Sequence, residues 1–214
     1  MLVAAVIVAA GQGTRFGGLK QFCDVGDETV TARTVRTARS VCAHVVLVVP
    51  EGYRGPDEGA DVVVSGGDTR AASVRAGLNS LPHADVVVVH DAARPLASRE
   101  LFAAVVGAVE AGADAAVPGL RVTDTLKRVA SRDGGIVVVD TVDRSDLMTV
   151  QTPQAFRREV IVGAHAARTD ATDDAALVEA SGGTVVIVPG EAGNLKITEP
   201  EDLARVVAAL KEKA

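Results

Sequence analysis

Short runs of valine, isoleucine and alanine recur along the chain, apolar at consecutive positions rather than at alternate ones. Residues 2–9, 45–49, 62–64, 86–89, 115–117 and 185–188 read as strands with two apolar faces. Such a strand is stable only where both faces are covered, as in a parallel sheet with helices packed above and below. Helical patterns lie between the runs, near 29–43, 70–81, 99–111, 157–168 and 173–181. Ser98 is expected to cap the third, and Gly112 and Gly182 stand where C-terminal glycines belong. A last helix starts at the capping-box pattern Thr198-Glu199-Pro200-Glu201 and carries a stripe of Leu203, Val206, Val207 and Leu210. The alternation predicts an α/β fold, its mostly parallel central sheet flanked by helices and joined by right-handed crossovers. At 214 residues, 48% of them apolar, the chain supports one sizeable core and reads as a single domain over 1–214.

One stretch breaks the alternation. Between 122 and 150 a polar strand, a Gly134-Gly135 turn and the apolar run 136–139 lead into Thr141-Val142-Asp143-Arg144. This predicts a β-hairpin outside the main sheet: an arm that covers a site, grips a second subunit, or stands in solvent.

Charge excludes whole classes of partner. A formal net charge of -6 sets the field of the molecule against nucleic acid and anionic membrane. Aromatic residues are 2% of the chain and tryptophan is absent, so no base-stacking surface for a nucleic-acid polymer is expected. A phosphate-bearing partner must then be small and held by a local cluster of cations. The apolar N-terminus, 2–10, is too short to span a bilayer and has no basic segment before it, so no membrane anchor or signal peptide is expected. Cys23 and Cys42 make no disulfide framework and lack metal-ligand spacing, which suits a reducing, cytoplasmic compartment.

The first strand runs into Ala9-Ala10-Gly11-Gln12-Gly13-Thr14-Arg15-Phe16-Gly17-Gly18-Leu19-Lys20. A glycine-rich turn at the carboxyl end of the first parallel strand is where α/β sheets take ligands, because glycine lets backbone N–H groups approach a phosphate. The turn lacks the Gly-Lys-Ser/Thr of a P-loop. It lacks the third glycine of the dinucleotide fingerprint, where Phe16 stands, and Glu51 comes too late to be its strand-end acid. An NAD-dependent oxidoreductase is therefore disfavoured. What the turn has instead is two cations, Arg15 and Lys20, beside a backbone cradle. That suits a triphosphate, and the alternative is a tight turn with two solvated basic residues.

Three further strand ends fall on the same edge. Gly66-Gly67-Asp68-Thr69-Arg70-Ala71-Ala72-Ser73 follows one, His90-Asp91-Ala92-Ala93-Arg94-Pro95 a second, and Gly193-Asn194-Leu195-Lys196-Ile197 a third. Asp91 suits a ribose hydroxyl, a divalent metal or a helix N-cap. Lys196 lies between apolar neighbours, so alternation turns it into the cleft or outward from an edge strand. His44, His83, His90 and His165 form no triad-like pattern, and His90 is expected to pack at its strand end.

Taken in order, the segments 9–22, 66–78, 90–95, 124–128, 141–144, 152–154 and 194–203 resemble the 2-C-methyl-D-erythritol 4-phosphate cytidylyltransferase family of non-mevalonate isoprenoid biosynthesis. The most specific pieces are Ala-Ala-Gly-x-Gly-x-Arg at 9–15 with Lys20-Gln21-Phe22, then His90 to Pro95, then Thr141-Val142-Asp143-Arg144. The resemblance implies a Rossmann-like nucleotidyltransferase fold, a homodimer through the β-arm, and cytidylyl transfer from CTP to methylerythritol phosphate with Mg²⁺. It implies that Arg15, Lys20 and Lys196 are the catalytic cations on the phosphates. Backbone of Ala9, Ala10, Gly11 and Gly13, with Gly67, Asp68 and Ser73, would bind the nucleotide, and Asp91 would lie near ribose and metal. Arg94, Thr125, Arg144 and Thr152 would hold methylerythritol phosphate, Thr125 and Arg144 from the partner's arm. Two departures stand out: Leu19 replaces the usual proline, and the Arg15–Lys20 loop is shorter than in many members. The rival readings are cytidylyl transfer to ribitol 5-phosphate and nucleotide binding without catalysis. No second catalytic domain is expected.

Overall fold

The valine-rich runs form the middle of one sheet. The computed structural model describes residues 1–132, 134–166 and 173–212, and within them eight strands pair in a single sheet. β1 (Val3–Val8), β2 (His44–Val49), β3 (Val62–Ser65) and β4 (Val86–Asp91) are parallel. From β1 the chain winds outward through β2 to β3, then returns to the other flank of β1 as β4. Beyond β4 come the antiparallel β9 (Gln154–Arg157), then β5 (Ala115–Arg121) and β10 (Val185–Pro189). β8 (Met148–Val150) pairs antiparallel with the far part of β5. The strand order reverses at β1, with β2 on one flank and β4 on the other, and this opens a crevice at the carboxyl ends of β1 and β4, the switch point at which such sheets bind ligands.

Two apolar layers cover the sheet. On one face, Val35 and Ala38 of α1 (Val30–Arg39) and Phe102, Val105 and Val109 of α3 (Arg99–Glu110) pack on Ala5, Ile7, Leu47 and Val88. On the other, α2 (Arg70–Ser80), α4 (Arg158–Ala166) and α5 (Asp174–Ala180) bring Val74, Leu78, Ile161 and Val178 against Val6, Val46, Val87 and Val89. Successive strand residues thus serve opposite cores, which is why the runs are apolar without alternation. The expectation of two covered faces fails at the outer strands, where Val63 of β3 and Ile187 of β10 are 38% and 47% exposed. Both strands end the strand order and have a neighbour on one side only.

Helix starts follow local chemistry. The side chains of Thr29, Thr69, Ser98 and Asp173 each accept a hydrogen bond from the N–H three residues on. Gly112 and Gly182, at φ +119° and +83°, close α3 and α5 as the sequence suggests. α1 stops at Arg39, short of the expected 43. α4 is described to Ala166, and the expected positions 167–168 lie outside the described residues. The last helix, α6 (Pro200–Lys211), corrects the capping-box register by one residue. Glu199 is its N-cap and Asp202 its closing acid, whose Oδ2 accepts from the N–H groups of Thr198 and Glu199 at 2.9 and 3.0 Å. Pro200 dictates this register, because a fixed φ and a missing N–H suit the first helical position.

The hairpin stands apart as expected. β6 (Leu126–Arg132) and β7 (Gly135–Val142) pair in a two-stranded sheet of their own, with a register shift between Arg128 and Val129. Its apolar residues are uncovered: Ile136 is 76% and Val138 62% exposed.

Two helical glycines separate packing from propensity. A Cβ on Gly77 of α2 would press into Val6 and come within 3.0 Å of Val48, whereas one on Gly107 of α3 would meet nothing within 4 Å. Overpacking costs about 1–3 kcal/mol and alanine's helix propensity returns about 1 kcal/mol. Gly77→Ala is therefore expected to destabilise the fold by up to about 2 kcal/mol and Gly107→Ala to stabilise it by up to about 1 kcal/mol in urea unfolding.

Candidate active site

The glycine turn is held by its own backbone and by one buried amide. The Ala9 N–H still pairs with the Val48 carbonyl at 2.8 Å, so the sheet continues one residue past β1 before the chain departs. Gln21, 3% exposed, donates from Nε2 to the carbonyls of Ala9 and Gly11 at 2.7 and 2.9 Å and spans the turn like a strut. Gly13 adopts φ +63°, and its carbonyl accepts from Phe16, Gly17 and Gly18. A Cβ there would collide with the Gly18 carbonyl, so both sterics and φ demand glycine. Among the described residues, the N–H groups of Ala10, Gly11, Gln12 and Gly13 donate to no protein acceptor. Unpaired amides at the end of a strand form a ready cradle for an anion.

A cavity of about 500 Å³ opens at this edge. Ala9, Ala10 and Gly11 line it from the β1 side, Gly67 and Asp68 from the turn between β3 and α2, and Ser73 from the first turn of α2. Gly13 shapes the first of these turns from outside the lining. Ser73 Oγ accepts from the Gly67 N–H at 3.2 Å and fixes the second. Arg15, Lys20, Arg70 and Lys196 bring four cations to the same space, which Asp91 also lines. Lys20 opens a 3-10 turn, Lys20–Phe22, steadied by the stack of Phe22 on Tyr53 at 4.5 Å. Lys196 is delivered by a loop rather than by the edge strand considered above. Its neighbour Ile197 is fully buried with Val25, Val30 and Val206, and the Ile197 N–H donates to Ala93 at 2.8 Å.

The cations perturb one another. Partial burial, then the charges of Lys196 and Arg15, push Lys20 below the ordinary lysine value. Asp91 answers them: Lys196 Nζ lies 2.7 Å from Oδ2 and Arg70 Nε 3.4 Å from Oδ1. Burial opposes the Asp91 charge, but Lys196 and Arg70 prevail and hold the carboxyl far below the usual carboxylate range.

His90 packs at its strand end, as expected. It is fully buried edge-on to Phe102, and burial drives its pKa down to about 4. Nε2 lies 3.2 Å from the Arg94 carbonyl, which can only accept, so Nε2 carries the proton. Nδ1 then accepts from the Thr152 hydroxyl at 2.9 Å, and that oxygen accepts the Asp91 N–H at 3.1 Å. Thr152 therefore sits behind Asp91 and outside the cavity lining. Arg94 also stands outside the lining. Its Nη1 donates to the Asn194 carbonyl at 2.8 Å, anchoring the loop that carries Lys196, while its buried Nε has no partner among the described residues.

The arm residues lie elsewhere on the same chain. Thr125 is exposed, and Arg144, also exposed, donates from Nη1 to the carbonyls of Val122 and Thr123 at the base of the arm. Neither lines the cavity of its own chain. Sequence reasoning missed Gln21 as the strut, and Arg70, whose carboxylate partners are 21 and 104 residues away. Glu51, weighed above only as a dinucleotide acid, also lines the cavity.

Comparison with known proteins places the chain. A bifunctional enzyme IspD/IspF of Clavibacter michiganensis subsp. michiganensis is 46% identical over 220 residues, covering 95% of this chain and 53% of that protein. The chain spans about half the length of such bifunctional relatives. The 2-C-methyl-D-erythritol 4-phosphate cytidylyltransferase of Streptomyces avermitilis is 40% identical over 230 residues, 98% of this chain and 92% of that one. The crystal structure of the enzyme of that name from Thermus thermophilus superposes with a TM-score of 0.84 at 38% identity, over 99% of this chain and all of the other. The α/β nucleotidyltransferase-like fold is thus shared with these structures. Since the family model described as 2-C-methyl-D-erythritol 4-phosphate cytidylyltransferase matches residues 3–212, nearly the whole length, the chain belongs to that family.

Proposed function

We propose that the chain transfers the cytidylyl group of CTP to the phosphate of 2-C-methyl-D-erythritol 4-phosphate, releasing pyrophosphate and 4-diphosphocytidyl-2-C-methyl-D-erythritol. One observation carries this reading: Arg15, Lys20 and Lys196 converge with unpaired backbone amides on one cavity in a chain of net charge -6. Such a pit selects a small polyanion and leaves polymeric ones to be repelled by the rest of the surface. Family membership and the names of the relatives supply the two substrates.

The reaction needs charge control more than proton transfer. An oxygen of the substrate's phosphate attacks the α-phosphorus, a new P–O bond forms, and the bond to pyrophosphate breaks with its electron pair. A phosphomonoester has a second pKa near 6, so the nucleophile is largely dianionic at neutral pH and needs no general base. His90, neutral and fully engaged, provides none. Arg15, Lys20 and Lys196 offset the charge of two meeting anions and of the departing pyrophosphate. Backbone of Ala9, Ala10, Gly11 and Gly13 supports the phosphates, while Gly67, Asp68 and Ser73 face the nucleoside and Asp91 the ribose.

Among the described residues no three His, Cys, Asp or Glu side chains are grouped to hold a metal, and both Asp91 oxygens already face cations. The donor set fits Mg²⁺ in one mode, on the phosphates of CTP with Asp91 as the protein ligand, since Mg²⁺ keeps several waters and binds through few carboxylates. Bound there it would withdraw charge from phosphoryl oxygens. Methylerythritol phosphate would be held by Arg94 and Thr152 near the Asp91 end, and by Thr125 and Arg144 of a second copy. The homodimer forms through the arm at about 122–150, whose bare Ile136 and Val138 call for cover. Residues 1–214 act as one nucleotidyltransferase unit. No helix among the described residues is long and apolar enough to cross a membrane, and we assign the enzyme to the cytoplasm.

A coupled pyrophosphate assay tests the reading. Release is expected with CTP and methylerythritol phosphate and not with ribitol 5-phosphate, and CTP binding without release would reduce the protein to a nucleotide binder. Lys20→Ala or Lys196→Ala is expected to lower kcat by at least about 100-fold with unchanged thermal unfolding, the usual scale for losing one preorganised charge contact. Arg144→Gln should raise KM for methylerythritol phosphate well above any change for CTP, and equal changes would remove it from the acceptor site. CTP affinity needs Lys20 protonated, so it should be full at lower pH and fall as pH rises through a value below the 10.5 of ordinary lysine. In Lys196→Gln that fall should move to higher pH, because a neighbouring positive charge has gone.

A further inference from the structure

The two cations on Asp91 are held in different ways. Lys196, its side chain 44% exposed, reaches Asp91 from a loop at the cavity and has no second anionic partner among the described residues. Arg70 is gripped from behind. Its Nη1 lies 2.8 Å from Asp174 Oδ2, and the other Asp174 oxygen accepts from His165 Nε2 at 2.9 Å. Asp174 and His165 are 1% and 3% exposed, and neither lines the cavity. A carboxylate so deeply buried stays charged only when paired and hydrogen-bonded, so this pair is a fixed anchor for the guanidinium. Arginine suits the post: a planar, permanently charged fork touches two carboxylates at once, Nε on one and Nη1 on the other.

We infer that Arg70 is a positioning residue that releases Lys196: anchored on Asp174 and His165, it keeps Asp91 compensated when the Lys196 ammonium leaves that carboxylate for the phosphates of an incoming nucleotide. The inference rests on the reading of the cavity as a polyphosphate site. Its physical basis is the asymmetry of ion pairs in partly buried places. Removing one partner costs more than the pair gains by forming, because the other charge is left uncompensated. With Lys196 as its sole cation, Asp91 would retain it and compete with the phosphates. With Arg70 fixed on the other oxygen, Lys196 leaves at small cost. Arg70 also lines the cavity, but its Nε and Nη1 are committed to Asp91 and Asp174, and it thus acts on phosphate affinity through Asp91 and Lys196.

The test is a double-mutant cycle read by calorimetry with inorganic tripolyphosphate in EDTA, so that ribose, base and divalent metal play no part. Arg70→Gln is expected to weaken binding about tenfold when Asp91 is present and less than about twofold in an Asp91→Asn background. Asp174→Asn leaves Arg70 its charge but loosens its anchor, and should weaken binding about threefold with Asp91 and not at all with Asn in its place. Losses of equal size in both backgrounds would mean that Arg70 meets the phosphates directly or serves only the fold, and would overturn the inference. Thermal unfolding of each variant identifies any that fails to fold, and the Asp174→Asn arm then decides alone. Failure of the unsubstituted chain to bind both tripolyphosphate and CTP would instead overturn the polyphosphate reading of the cavity.

Discussion

Four cations, Arg15, Lys20, Arg70 and Lys196, line one small cavity and repel one another. Asp91 opposes that repulsion. Its carboxylate ends β4, pairs with Lys196 across 105 residues of sequence and faces Arg70 on its other oxygen. Its backbone N–H is fixed by Thr152, which is fixed in turn by the neutral imidazole of His90. Lys20 is pushed below the ordinary lysine value first by burial and then by the charges of Lys196 and Arg15, so some repulsion remains in the pit. A triphosphate would relieve it, so the site stores in its own charge distribution the preference for a polyanion.

The fold delivers these groups through the order of its strands. β1 is central, and the return of the chain to its other flank sets the ends of β1 and β4 side by side. The turn after β1 contributes amides and Arg15, the turn after β3 contributes Gly67 and Asp68, the start of α2 contributes Arg70 and Ser73, and the end of β4 contributes Asp91. Each is rigid for a local reason: the Gln21 strut, the Ser73–Gly67 bond, the Thr152 hydroxyl. Rigid donors placed where charge will develop need little rearrangement during reaction.

Much of this was legible in the sequence, because the signals were local. Consecutive apolar residues marked the covered strands, Ser98 and Gly112 marked the bounds of α3, and Gly134-Gly135 marked the arm. Ten of the expected site residues meet in the cavity; the glycine turn announced itself locally, whereas the local context of Asp91 and Lys196 left alternatives open and the family resemblance assigned them to the site. What stayed hidden depends on partners far along the chain. Arg70 looks like any first residue of a helix until Asp91 and Asp174 arrive beside it. Gln21 looks like a polar residue in a loop until it is buried under the turn. The capping register of α6 turned on a single proline, and the partial exposure of β3 and β10 on which strands lie outermost, which no local pattern encodes.

The late arrival of the Lys196 loop has a consequence for synthesis. The centre of the sheet is made from residues before 92, and its first neighbours are in hand by residue 157. The loop at 190–198 and α6, which packs with Val25 and Val30, emerge from the ribosome only afterwards. A nascent chain can therefore assemble most of its hydrogen-bonded framework while it still lacks one wall of the pit. Nucleotide docking on such an intermediate would lack the Lys196 contact, so the complete pit belongs to molecules that have finished folding.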